Sequence, residues 1–187
     1  MTALRIILWI IAIIIITAIV LYNNLVTLKT NRENAFSDID VQLKLRFDLV
    51  PNIVNTVKGY AKHEKETLDL VVQARTGFMN AKSIDSKLAA NNELTGALKT
   101  LFAVAESYPD LKANTNFINL QKELSDIENK LAAARRYFNS ATKEYNIATQ
   151  TFPSVLIANA CWFKQAEFYE LEPEEKAEVK KAPKVEF

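Results

Sequence analysis

The chain begins with an almost unbroken apolar run. Residues 4–22 read LRIILWIIAIIIITAIVLY, with Arg5 at the edge and Thr17 as the polar interruption beyond it. At 1.5 Å per residue the core of this run gives about 24 Å, and its apolar continuation brings it to about 30 Å, the thickness of a bilayer core. The run predicts a transmembrane anchor over residues 1–22. The alternative is a cleaved signal peptide, but such peptides have a shorter apolar core and a small-residue cleavage site.

Beyond the run, apolar residues recur every three or four positions, which is the period of a helix with one buried face. This stripe passes Pro51 without losing phase, which favours one long helix, kinked at the proline and ending near residues 59–60. Two helices broken before Pro51 are the alternative, because proline lacks an N–H and clashes with the carbonyl of Phe47. The stripe comprises Phe36, Ile39, Leu43, Phe47, Val50, Val54, Val57 and Ala61.

Three further helices are predicted, over about 64–82, 85–108 and 117–152. The last has the clearest pattern, with apolar residues that alternate steps of three and four like the seam of a bundle helix. Short connections make neighbouring helices antiparallel, and the two outer helices are each about twice as long as the middle two. We therefore expect four helices in the half far from the membrane and two in the near half, where an uncovered stripe would form an apolar patch.

The residues after Pro153 could cover that stripe, because SVLIANACWFKQAEFYEL is unusually apolar and aromatic. Residues 155–169 have three alternative roles: a short fifth helix packed on the long helices, an aromatic belt in the membrane interface, or a surface for a partner or a second copy. The candidate interaction surface comprises Trp162, Phe163, Phe168 and Tyr169 at this end and His63 at the other end of the bundle.

Composition narrows the function further. Three glycines and five prolines in 187 residues are few for a fold rich in turns, and a net charge of +1 gives no field for nucleic acid. The single histidine, His63, lacks the second histidine of a helical zinc-protease motif, since Thr67 occupies that position. Cys161 has no histidine to activate it. The sequence therefore predicts no catalytic residue, no metal, no cofactor and no small-molecule substrate.

Four stretches of the sequence carry a family resemblance. YNNLVTLKTNRENAFSDIDVQLKLRFDLVPNIVNTVKGYAKHEKETL, LTGALKTLFAVAESYPDLKANTNFINLQKEL, ARRYFNSATKEYN and FPSVLIA closely resemble the bacterial LemA family over about residues 22–168, and the ending APKVEF is also similar. The resemblance implies one N-terminal membrane helix that carries a long antiparallel helical bundle. It implies no settled activity, although relatives associated with magnetosome membranes and genes beside membrane proteases suit a scaffold or adaptor.

Pattern and resemblance together predict an all-α protein, a transmembrane helix followed by a long antiparallel four-helix bundle with a short fifth helix. The predicted divisions are an anchor over 1–22, a LemA-like bundle over 23–169 and a disordered charged tail over 170–187. We expect a single-pass protein of the cell membrane with its bundle outside the cytoplasm. Its predicted function is that of a scaffold or adaptor, with the bilayer and a protein partner or second copy as its contacts. The alternative is an extracytoplasmic ligand-binding sensor without catalytic activity.

Overall fold

The computed structural model describes residues 2–61, 64–82 and 84–169, and over these ranges the fold is all-α without strands. This confirms the predicted fold class. His63 and the predicted tail, 170–187, lie outside the described residues. The helices are α1 Thr2–Asp48, α2 Val50–Lys58, α3 Lys65–Asn80, α4 Ile84–Ala105, α5 Pro109–Lys112, α6 Thr115–Gln150 and α7 Ser154–Ala160.

The predicted single helix through Pro51 is interrupted at Leu49, which lies between α1 and α2. Leu49 keeps helical backbone angles, φ −77° and ψ −21°. Because Pro51 has no N–H to donate to the carbonyl of Phe47, the hydrogen-bond ladder is broken there while the chain continues in a helical conformation. The predicted long helix with a kink at Pro51 is therefore divided into α1 and α2, with Leu49 between them in a helical conformation. The apolar stripe nevertheless continues into α2, where the buried residues are Val50, Ile53 and Val57. Ile53 takes the buried position predicted for Val54, which is half-buried.

The chain forms two compact units. Unit 1 comprises Met1–Phe36 and Ala134–Phe187, and its described parts are 2–36 and 134–169. Unit 2 comprises Ser37–Ala133. The long helices α1 and α6 each contribute residues to both units. The predicted boundary between anchor and bundle at residue 22 stays a prediction.

Unit 2 is a helical bundle around an apolar core. Asp40 of α1 pairs with Lys87 of α4, and Arg46 pairs with Asn91, so the two helices advance in the same direction. Short connections through an antiparallel α3 require this arrangement. The largest fully buried side chains of unit 2 are Ile39, Leu43, Phe47, Val50, Ile53, Val57, Leu94, Leu101, Leu111, Phe117 and Leu131.

In unit 1, α1 and α6 pack antiparallel. The rings of Phe36 and Phe138 meet edge to face, with 5.8 Å between their centroids. One turn earlier on α1, the Nε of Arg32 donates to the Oγ1 of Thr142 at 3.1 Å, and its guanidinium lies over the Phe138 ring. Residues nearer the N-terminus of α1 therefore contact residues nearer the C-terminus of α6, as in an antiparallel pair.

The N-terminal part of α1 is the one segment among the described residues that is long and apolar enough to cross a membrane. None of its most apolar window is buried within the protein. A helix in the core of a soluble protein would bury such side chains, because the exposure of apolar surface to water is energetically unfavourable. The exposed aliphatic surface therefore fits the hydrocarbon of a bilayer.

Candidate functional site

The described chain ends in an extended segment, residues 163–169, which we call the strap. Helix α7 stops at Ala160, and the chain then turns through Trp162, whose φ of 61° lies in the left-handed region. The predicted short fifth helix is thus α7, and the alternative in which residues 155–169 form one helix does not hold beyond Ala160. The strap packs on α1 and α6 within unit 1, as the first of the three alternative roles requires, although not as a helix. The roles in the membrane interface and in binding a partner stay predictions.

Two asparagines of α6 hold the strap by its backbone. The side-chain Nδ2 of Asn146 donates to the carbonyl of Ala166 at 2.8 Å, and its Oδ1 accepts the Ala166 N–H at 2.8 Å. Asn139 makes the same pair of bonds with Tyr169, at 3.0 and 2.8 Å. Each asparagine thus satisfies both backbone groups of one strap residue, as a neighbouring β-strand would.

The distance between the two asparagines along α6 matches the distance between the two strap residues that they bind. Asn139 and Asn146 are one heptad apart, a rise of about 10.5 Å along a helix. The residues they hold are three apart, which spans roughly 9–10 Å of extended chain. Burial along the strap has the same period, because Phe163, Ala166 and Tyr169 are half-buried while the residues between them are exposed. Three residues per turn is the period of a polyproline II helix.

Two further side chains bond to strap carbonyls. The Tyr145 hydroxyl donates to the carbonyl of Lys164 at 2.9 Å, and the Nη2 of Arg32 donates to the carbonyl of Glu167 at 3.1 Å. Burial raises the pKa of the Tyr145 phenol, although the nearby Arg32 charge opposes this. The phenol therefore stays protonated at neutral pH and remains a hydrogen-bond donor to the strap.

Two of the predicted surface residues serve mainly to fix the strap. Phe163 packs edge to face against Tyr22 of α1, with 5.8 Å between ring centroids. Tyr169 lies under the guanidinium of Arg135, which is 4.8 Å from the ring centroid. Both aromatic side chains are half-buried within unit 1. Their surfaces are largely used inside the protein.

The other predicted residues have different environments. Trp162 is 84 % exposed and Phe168 is 49 % exposed, so both side chains are accessible to an outside partner. His63 lies outside the described residues, and its predicted role stays a prediction. The four C-terminal aromatic residues thus lie close together in the chain but differ in role. Phe163 and Tyr169 fix the strap to the protein, whereas Trp162 and Phe168 are exposed.

Sequence reasoning missed the residues that bind the strap backbone. Asn139 and Asn146 were not predicted as site residues, nor were Tyr145 and Arg32. Asparagine is unfavourable inside a helix because its amide competes with the backbone for hydrogen bonds. Two asparagines one heptad apart in the middle of a strong helical pattern were therefore the available signal.

A cavity of about 590 Å³ opens between α1 and the start of the strap. Its charged lining includes three cations and one carboxylate, so the cavity is net basic. Among the described residues no group of three metal-binding side chains occurs. The charged and aromatic side chains that line the cavity are Lys29, Arg32, Glu33, Lys164, Tyr22, Tyr145, Trp162 and Phe163.

An exposed apolar helix that continues into a helical bundle defines the class of a membrane-anchored helical-bundle protein. The LemA family profile matches residues 35–187, most of the chain. The chain belongs to the LemA family, as its sequence predicts.

Individual relatives agree with this membership. The chain is 23 % identical over 185 residues to the magnetosome protein MamQ of Magnetospirillum gryphiswaldense, a match that covers 85 % of this chain and 68 % of the relative. The magnetosome protein MamQ 2 of Paramagnetospirillum magneticum matches with the same identity and coverage. Protein LemA of Metamycoplasma hominis is 29 % identical over 134 residues, 70 % of this chain and 60 % of the relative. Family and exposed helix together indicate a membrane-associated helical protein of the cell envelope.

Proposed function

We propose that this protein is a membrane-anchored scaffold or adaptor that binds another membrane protein through the strap. The observation that carries the proposal is the way in which Asn139 and Asn146 hold the strap by its backbone. Its intervening side chains are then displayed in a fixed conformation, which lowers the ordering cost of binding. The proposed role involves no catalysis.

The exposed side chains of the strap suit a protein interface. Phe168 supplies an aromatic anchor, and Gln165 and Glu167 supply polar neighbours. Interfaces commonly combine a central aromatic residue with a polar rim. Because the strap belongs to the same unit as the apolar helix, a partner in the same membrane is the occupant we propose.

Photocrosslinking in cells tests this proposal. A photoreactive amino acid placed at Phe168 is expected to crosslink to one other membrane protein. The same amino acid at Ile118 of unit 2, which is also 49 % exposed, is the matched control and should not give that product. Asn146→Asp should weaken the Phe168 crosslink by loosening the strap. Equal products from both positions would contradict the proposal, and products with this chain alone would indicate a homo-oligomer instead.

We also propose that the bundle lies outside the cytoplasm. Arg5 flanks the apolar run on its N-terminal side, whereas the first basic residue on the other side is Lys29. The positive-inside rule then favours a cytoplasmic N-terminus. In a Cys161→Ser background, which removes the chain's one cysteine, a cysteine introduced at the exposed Ile118 of unit 2 should react with a membrane-impermeant maleimide in intact cells. Labelling only after the cells are lysed would reverse the assignment.

A ligand-binding sensor is the second candidate function, and a cavity of about 330 Å³ beside α3 and α4 favours it. This volume is at the low end of the range for small-molecule pockets. Gly96 lines the cavity, and a side chain added there would meet open space. A ligand that raises the melting temperature of the wild type but not of Gly96→Leu would support the sensor. Equal stabilisation of both proteins would place the ligand elsewhere.

A further inference from the structure

The most exposed aromatic residues of unit 1 lie near one level along α1. The apolar run of α1 ends at Tyr22, and the antiparallel register of α1 and α6 places Phe152 near the same level. Trp162 is adjacent to Phe163, which packs on Tyr22. Phe152 is 80 % exposed and Trp162 is 84 % exposed. Aromatic residues at the end of an apolar span are typical of the membrane–water interface.

The backbone of Trp162 has a conformation that is rare for tryptophan and that directs the indole away from the protein. Its φ of 61° lies in the left-handed region, which is unfavourable for a residue other than glycine. The turn leaves the indole outside the protein while the next residue, Phe163, is packed inside. Such a conformation needs compensation, and an apolar medium around the indole would supply it.

Two lysines lie on the water side of this aromatic level. Lys29 is seven residues beyond Tyr22, about 10 Å along α1, and Lys164 follows Phe163 on the strap. Both side chains are exposed and line the 590 Å³ cavity. The pair of Lys29 with Glu33, at 4.0 Å between exposed groups, is weak and leaves the ammonium able to bind an anion.

We infer that this cavity binds the phosphate-bearing headgroup of an anionic phospholipid. Lys29 and Lys164 would contact the phosphate, while Trp162 and Phe152 lie at the boundary with the acyl chains. The cavity has the volume of a small-molecule site, and basic residues at a membrane surface attract anionic lipids. This site does not depend on the protein partner proposed for the outer face of the strap.

Brominated lipids test the inference on the full chain. In a Trp9→Phe background Trp162 is the one remaining tryptophan, because the chain has two. The protein is reconstituted in phosphatidylcholine vesicles with a small fraction of brominated phosphatidylglycerol or, in parallel, brominated phosphatidylcholine. Quenching of Trp162 then reports the lipid enriched beside it. We expect stronger quenching by phosphatidylglycerol, with the preference reduced about fivefold for each lysine removed.

Charge variants locate the effect. Lys29→Gln with Lys164→Gln should abolish the preference, whereas Lys29→Arg with Lys164→Arg should retain it. Lys122→Gln with Lys130→Gln removes the same charge from an exposed face of unit 2 and should leave the preference unchanged. Equal quenching by the two lipids, or a preference that survives in the Lys29 and Lys164 glutamine variant, would overturn the inference. Loss of the preference on addition of millimolar inorganic phosphate would assign the cavity to a free anion rather than to a lipid.

Discussion

The two units bury polar side chains in different proportions. The core of unit 2 consists mainly of aliphatic and aromatic residues, with Arg46, Thr67 and Asn91 as its buried polar residues. Unit 1 buries Thr142, Asn146, Thr149 and Ser154 beside apolar residues such as Leu25 and Phe138. Apolar burial is proportional to area and is not directional, while a hydrogen bond requires a particular donor and acceptor at a fixed distance. Unit 2 is therefore organised for stability, and unit 1 for holding one segment in one position.

The largest effect is expected from the core of unit 2. Phe47 is 1 % exposed and stacks on Phe78 with 4.0 Å between ring centroids. Phe47→Ala should lower the free energy of unfolding by about 3–5 kcal/mol, because it removes buried area and leaves a cavity. Chemical denaturation of the full chain, followed by circular dichroism, measures this. Val41→Ala on the exposed face of α1 is the control, with an expected change below about 0.5 kcal/mol. Similar losses in both variants would contradict the assignment of the core.

Unit 2 also has one buried charge that breaks its apolar character. Arg46 is 4 % exposed, and its Nη1 donates to the Oδ1 of Asn91 at 2.7 Å. Asn91→Leu removes an acceptor from a buried cation and should cost about 1.5–3 kcal/mol. Glu128 lies 3.9 Å from the same guanidinium with its side chain 63 % exposed, so Glu128→Gln should cost less than about 1 kcal/mol.

A double variant separates burial from pairing at this position. Arg46→Met with Asn91→Leu replaces the polar pair by apolar side chains and should recover most of the loss. The unfolding midpoints of the single and double variants form the comparison. A double variant that is less stable than Asn91→Leu would show that Arg46 has a structural role beyond its bond to Asn91.

In unit 1 the expected effect is smaller and local. Asn146→Asp keeps the acceptor for the Ala166 N–H but loses the donor to the Ala166 carbonyl, and it places a carboxylate near that carbonyl. The loss should be about 1–3 kcal/mol in local opening of the strap, with little change in global unfolding. Hydrogen exchange of the Ala166 and Tyr169 amides measures it. Asn119→Asp, on an exposed position of unit 2, should leave both amides protected. Protection that is unchanged in Asn146→Asp would show that the asparagine bonds do not hold the strap.

The same contrast explains what the sequence predicts. The ends of α3, α4 and α6 were predicted within a few residues, because an apolar face repeats with the helical period whatever its partner is. The extended conformation of the strap was not predicted, because Asn139 and Asn146 bind its main chain and so leave little pattern in its side chains. Phe163 and Tyr169 were identified as part of a surface by their aromatic character. Phe163 and Tyr169 are half-buried whereas Trp162 and Phe168 are exposed, because every third residue of the strap faces the protein. This period follows from the packing of the strap on α6 and could not be predicted from the sequence.

The smallest effect is expected at Pro51. Pro51→Ala restores an N–H that can donate to the carbonyl of Phe47 and join α1 to α2, because Leu49 already has helical angles. The gained hydrogen bond and the added freedom of the unfolded chain oppose each other, so stability should change by less than about 1 kcal/mol. Asn52→Ala on the neighbouring exposed position is the control for denaturation. A loss of several kcal/mol in Pro51→Ala alone would mean that the packing of Val50 and Ile53 requires the interruption. The stability of unit 2 would then depend on the position of a particular backbone hydrogen bond, as the position of the strap does in unit 1.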